Sequence, residues 1–131
     1  MASIFTRIIQ GEIPCYKIAE DDNCFAFLDI NPLAKGHTLV IPKREVDYLF
    51  DLDEDIYVSL NLFVKRLAHA IEKSVDCKRI GTAVIGLEVP HAHIHLVPIN
   101  NINDLNFSNP KLKLTEEEFK AIASKIQSNF K

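Results

Sequence analysis

Apolar positions along the chain change their repeat several times, and each repeat predicts an element. Ile4, Phe5, Ile8 and Ile9 recur at helical spacing, and Gly11 followed by Pro14 ends the run, so a short opening helix and a turn are expected. Three brief apolar runs follow, Cys15 to Ala19, Cys24 to Leu28 and Thr38 to Ile41. Glu20-Asp21-Asp22-Asn23 separates the first two, and Asn31-Pro32 with Lys35-Gly36 precedes the third. Short runs bounded by turn residues predict adjacent antiparallel strands. From about Asp53 to Val75 the repeat becomes helical, with Ile56, Leu60, Phe63, Val64, Leu67 and Ile71 on one side and Glu54, Asn61, Lys65 and Glu72 away from it. Asp53, Glu54 and Asp55 suit the positive end of that helix dipole. Two more strands are predicted over Arg79 to Ile85 and His91 to Ile99, joined by Gly86-Leu87-Glu88-Val89-Pro90. The Asn-rich stretch Asn100 to Pro110 reads as a loop, and Thr115-Glu116-Glu117-Glu118 is a capping-box signature opening a terminal helix.

That order predicts an α+β fold: a mainly antiparallel sheet with one long helix on a face, a short N-terminal helix and a C-terminal helix. With 131 residues, 47% of them hydrophobic, the chain reads as one domain over 1–131, its core at about 1–100 and its tail helix at about 115–127. A net charge of -3 with dispersed basic residues lacks the electrostatic footprint of a nucleic-acid polymer binder, while a small nucleotide needs few charges. No apolar run approaches the roughly 20 residues that span a bilayer, and Met1 to Gln10 has no leader-like core, so no membrane partner and a cytoplasmic location are expected. Cys15, Cys24 and Cys77 form no C-x-x-C pair, which argues against a disulfide framework or a standard zinc site and for half-buried free thiols.

The chemistry concentrates in His91-Ala92-His93-Ile94-His95-Leu96-Val97. Side chains alternate faces along a strand, with about 6.6 Å between i and i+2, so three imidazoles share one face while Ala92, Ile94 and Leu96 point the other way. Three chemistries fit such a row. The histidines could be structural. They could supply part of a metal site, completed by Glu88 or His37. Or one neutral imidazole could attack phosphorus while its neighbours stabilise charge or move protons.

This stretch resembles the H-x-H-x-H motif of the histidine triad superfamily. Three further segments share the likeness: Ile4-Phe5-x-x-Ile8-Ile9-x-Gly11-Glu12-Ile13-Pro14, Phe27-Leu28-Asp29-Ile30-x-Pro32, and Gly36-His37-Thr38-Leu39-Val40-Ile41-Pro42-Lys43. Together they cover about the first 100 residues, and the tail from Asn101 lies outside. The resemblance implies a five-stranded antiparallel sheet, a homodimer, a purine nucleotide or nucleotide conjugate as ligand, and cleavage at the α-phosphate through a nucleotidyl-histidine intermediate. It implies His93 as nucleophile, His91 as the residue that orients it, and His95 and His37 on the phosphate. Asp29 would accept hydrogen bonds from the ribose, and Phe5, Ile8, Phe27 and Ile30 would wall the base.

Two departures qualify that picture. Zinc-binding relatives use a C-x-x-C in the opening segment and a His after the Pro-Lys; here those positions are Ser3, Thr6 and Glu45, so no metal or other cofactor is expected. Before the triad, where relatives place a Gln and then a Ser or Thr, this chain has Leu87-Glu88-Val89-Pro90. An anionic Glu88 in the nucleotide-binding stretch repels phosphate unless it is protonated, turned away or paired. The expected activity is hydrolysis of nucleoside monophosphate conjugates of the adenosine phosphoramidate type. A nucleotide-binding dimer with little turnover and a dinucleoside polyphosphate hydrolase stand as alternatives.

Overall fold

The computed structural model describes residues 2–131. Five strands form one sheet: β1 (Lys17–Glu20), β2 (Cys24–Leu28), β3 (Thr38–Pro42), β4 (Arg79–Ala83) and β5 (Ile94–Ile99), in the order β1-β2-β3-β5-β4 with every pair antiparallel. Three helices accompany it: α1 (Ile4–Ile9), α2 (Glu54–Ser74) and α3 (Glu116–Asn129). The expected α+β class and antiparallel sheet are what the chain forms. Two single-turn 3-10 segments, Leu49–Asp51 and Ile102–Asp104, were not predicted, being too short to show a period.

β2 and β3 are buried along their whole length, because both faces of the sheet are covered. Cys24, Ala26 and Leu28 of β2, Val40 of β3, and Ile94 and Leu96 of β5 face the helical layer, where they join Leu60, Phe63, Leu67 and Ile71 of α2 and Phe119, Ala123 and Ile126 of α3. Phe25, Phe27, Leu39 and Ile41 occupy the opposite face, under Phe5 and Ile8 of α1. The side chains of α2 that make the first core recur every three or four residues, as the helical period requires. Each of its fully buried Leu, Phe or Ile side chains stabilises the fold by about 1.5–3 kcal/mol. α3 opens on a capping box: Thr115 Oγ1 accepts from the Glu118 amide at 3.1 Å, and a Glu118 carboxylate oxygen accepts from the Thr115 amide at 3.0 Å.

The strand predicted over His91 to Ile99 is corrected: pairing begins at Ile94. Ala92 N–H donates instead to the carbonyl of Val46 at 2.7 Å, a loop residue, so His91, Ala92 and His93 lie outside the ladder. Facing still alternates there, since Ala92 is part of the helix-side core with Ile94 and Leu96. The β3 to β4 connection runs through α2, and Gly36 at its φ of 94° makes the tight entry to β3 against Val75 and Pro98. Among the described residues no helix is long and apolar enough to cross a membrane.

Candidate active site

On the α1 face of the sheet, at the centre where β3 pairs β5, four imidazoles gather. Leu39 pairs with His95, so His37, two residues before Leu39, sits beside that ring: His37 Nε2 lies 3.0 Å from His95 Nδ1. The His93 and His95 ring centroids are 5.1 Å apart, and Phe5 of α1 meets His93 edge-on at 5.0 Å and His91 at 5.8 Å. All four histidines are buried.

Hydrogen-bond partners fix where each proton sits. The Leu33 amide can only donate, and it meets His37 Nδ1 at 3.0 Å. Neutral His37 therefore carries its proton on Nε2 and donates it to His95 Nδ1, which leaves the His95 proton on Nε2. The carbonyl of His91 can only accept, and it meets His93 Nδ1 at 2.8 Å. His93 thus has its proton on Nδ1 and a lone pair on Nε2. By the same logic His91 donates from Nε2 to the Pro42 carbonyl at 2.8 Å and accepts at Nδ1 from Ser3 Oγ, also at 2.8 Å.

Burial lowers the basicity of His37 to a pKa of about 3 and of His95 to about 4, and neighbouring charge adds to the effect. Burial lowers His91 as well. Asp29, half-buried at the end of β2, is raised by burial against the pull of the Asn31 amide, which donates to its Oδ1 at 2.8 Å. Its other carboxylate oxygen lies 3.5 Å from His37 Nε2.

These groups line a cavity of ≈ 540 Å³, within the range of small-molecule sites, about 300–1,000 Å³. His93, His95, His37, Asp29, Phe5, Ile8, Phe27, Ile30 and Glu88 all border it. Three expectations change in detail. His91 is not among the lining residues; its backbone carbonyl, rather than its ring, meets His93. Ile30 is 64% exposed, a rim residue rather than an enclosing wall. Glu88 is exposed at the mouth and takes part in no ion pair among the described residues. Two residues of the tail also border the cavity, Phe107 and Lys111. A lone Phe in an Asn-rich loop was their one signal in the sequence.

Among the described residues one trio could hold a metal ion, Asp29, His37 and His95, with ligand atoms within 4.8 Å of one another. A metal there would displace the proton between His37 and His95. The row of alternating histidines does not form a metal cluster, since His91 is tied to Ser3 and Pro42, and His93 Nδ1 to a carbonyl.

Ser3, Thr6 and Glu45, the three positions where the sequence departs from a metal-binding pattern, form one network beside His91. Ser3 N–H and Thr6 Oγ–H both donate to Glu45 Oε1 at 2.6 Å, and the Thr6 amide donates to Ser3 Oγ at 3.0 Å. Those donors hold the Glu45 carboxyl at about 2. The network fastens the N-terminus of α1, with Phe5, against the triad.

Residues 10–102 match the family model of the HIT domain. An uncharacterized HIT-like protein of Borreliella burgdorferi is 36% identical over 134 residues, covering 96% of this chain and 96% of its own length. An adenosine 5'-monophosphoramidase of Schizosaccharomyces pombe is 34% identical over 133 residues, covering 100% of both. A solved structure, a Hit-like protein involved in cell-cycle regulation from Bartonella henselae, aligns with a TM-score of 0.84 at 30% identity over 98% of this chain and 96% of that one. The five-stranded antiparallel sheet with its three helices is the fold that the chain shares with that solved structure. The chain belongs to the HIT family.

Proposed function

We propose that the protein hydrolyses nucleoside monophosphate conjugates at the α-phosphate, with adenosine phosphoramidates as the substrate type and His93 Nε2 as the nucleophile. The observation that carries this reading is the bond from His93 Nδ1 to the His91 carbonyl, which leaves the Nε2 lone pair free at the cavity wall. Attack on phosphorus forms an N–P bond and breaks the bond to the leaving amine, which departs with a proton taken from solvent and returned to it by the water of the second step. The imidazole ring becomes cationic, and the His91 carbonyl on Nδ1–H stabilises that charge. Water then attacks phosphorus, breaks the N–P bond and releases the nucleoside monophosphate. His95 Nε2–H meets the phosphate, while His37, expected there too, has both ring nitrogens engaged by Leu33 and His95 and instead fixes the His95 tautomer. Asp29 accepts from the ribose, and Phe5, Ile8 and Phe27 hold the base with Ile30 at its rim. Full-length likeness to a monophosphoramidase of Schizosaccharomyces pombe supports the substrate type.

The test is incubation with adenosine 5'-phosphoramidate. We expect AMP release by the wild type, an adenylylated protein trapped on rapid quenching, and loss of both in His93→Ala. Turnover by His93→Ala equal to the wild type would overturn the assignment. AMP binding with no turnover would leave a nucleotide-binding module, the reading that the exposed Glu88 at the mouth favours.

We also propose a cytoplasmic homodimer. β4 is an edge strand paired only with β5, and α2 presents Val58 and Leu62, 53% and 59% exposed, on its outer side. Sedimentation at the mass of a single chain at micromolar concentration would refute the dimer.

A further inference from the structure

The cavity has an unusual charge balance for a site that takes a phosphate. Of its lining residues, Asp29 and Glu88 are acids, and Lys111 is the one lysine or arginine. His37 and His95, held at about 3 and about 4, are neutral at physiological pH, and of the pair only His95, through its Nε2–H, has a donor left for an anion. An anion entering such a pocket meets carboxylates unless another group offsets them.

Lys111 is well placed to do so. It belongs to the loop that follows β5, beyond the stretch matched by the family model. That loop is anchored where Leu112 N–H donates to the Pro32 carbonyl at 2.8 Å, just after Asp29. Phe107 in the same loop lies edge-on to His95, with ring centroids 4.7 Å apart, and closes the His37 and His95 side of the cavity. The Lys111 ammonium donates to the carbonyls of Phe107 at 2.5 Å and Asn109 at 3.1 Å. An ammonium has three N–H donors, so one is left over, on a residue that borders the cavity. Its charge is close enough to act on both Asp29 and His37.

We propose that Lys111 is the phosphate-recognition residue of this pocket, the cation that makes it take a nucleoside monophosphate in preference to the bare nucleoside. Phe107 and the carbonyls of Phe107 and Asn109 hold it in place. The inference rests on the nucleotide reading of the cavity but not on hydrolysis.

Calorimetric titration of AMP and of adenosine into the wild type, Lys111→Gln and Lys111→Arg tests it. Gln keeps a donor for the loop carbonyls and removes the charge. We expect Lys111→Gln to weaken AMP by about tenfold, leave adenosine unchanged, and flatten the salt dependence of AMP binding. Lys111→Arg restores AMP. Equal weakening of AMP and adenosine would mean that Lys111 only braces the loop, and unchanged AMP affinity would mean that it does not meet phosphate; either result overturns the proposal. A wild type that binds neither ligand removes the nucleotide reading and this inference together. A wild type that binds AMP through Lys111 without hydrolysing conjugates leaves the inference standing and removes the hydrolase.

Discussion

Replacing Ser3 with Ala removes two hydrogen bonds of different kinds. Ser3 Oγ accepts from the Thr6 amide as the N-cap of α1, and it donates to Nδ1 of the fully buried His91. Loss of an N-cap costs about 0.5–2 kcal/mol. A buried acceptor left without a donor costs about 1–3 kcal/mol. Thr6 Oγ1 stands 3.4 Å from the same nitrogen but directs its proton to Glu45, so it cannot replace Ser3 without giving up that bond. The expected loss for Ser3→Ala is therefore about 3 kcal/mol, which lowers the melting temperature by roughly 10 °C for a chain of this length. Gly costs only a few tenths of a kcal/mol at an N-cap, so Ser3→Gly isolates the His91 bond, and its difference from Ser3→Ala reads the cap. Thermal unfolding followed by circular dichroism at pH 7 measures all three proteins. A drop below about 3 °C for Ser3→Ala would refute the claim that His91 depends on Ser3 for its Nδ1 donor.

The remaining predictions concern the turn before β3 and the response to acid. Gly36→Ala places a methyl 2.9 Å from Val75 Cγ2 at a φ of 94°, and urea denaturation is expected to show a loss of about 2–4 kcal/mol; a loss under about 1 kcal/mol would mean the turn relaxes freely. Below pH 6.5 the unfolded chain binds protons at His37 and His95 that the folded protein, with values of about 3 and 4, does not, so stability falls as pH drops from about 6.5 toward about 3. Glu45, ordinarily at 4.5 and held at about 2, adds a further loss between those values. The urea midpoint is expected to decline already between pH 7 and 5, and a flat midpoint there contradicts the tautomers assigned to the buried pair.

Much of the sheet was legible because each strand run is short and bounded by turn residues, and α2 because its apolar side chains repeat over a long span. His91 shows where that reasoning stops. An extended residue looks the same in sequence whether it pairs with a neighbouring strand or with a loop carbonyl, and Ala92 N–H goes to Val46. The triad, His37 and Asp29 were visible as motifs, but which imidazole nitrogen carries a proton depends on Leu33 and on the His91 carbonyl, backbone groups with no side-chain signature. Ser3, Thr6 and Glu45 stood out singly as departures, and only the fold brings residues 39 or more positions apart into one network. Lys111 was invisible because Pro110 and Leu112 beside it belong to no regular repeat, and its place in the cavity comes from the hydrogen bond of Leu112 N–H to the Pro32 carbonyl.

The turn between β2 and β3 holds three parts of the site through main-chain groups alone. Asn31 N–H serves Asp29, Leu33 N–H serves His37, and the Pro32 carbonyl receives the tail. Any residue except proline supplies the first two donors, and every residue supplies the carbonyl. Side-chain identity at 31 and 33 is therefore nearly free to drift over evolutionary time while the tautomers and the tail anchor persist. A substitution survey of this turn would find broad tolerance beside the most demanding positions of the molecule, with proline at 31 or 33 as the exception.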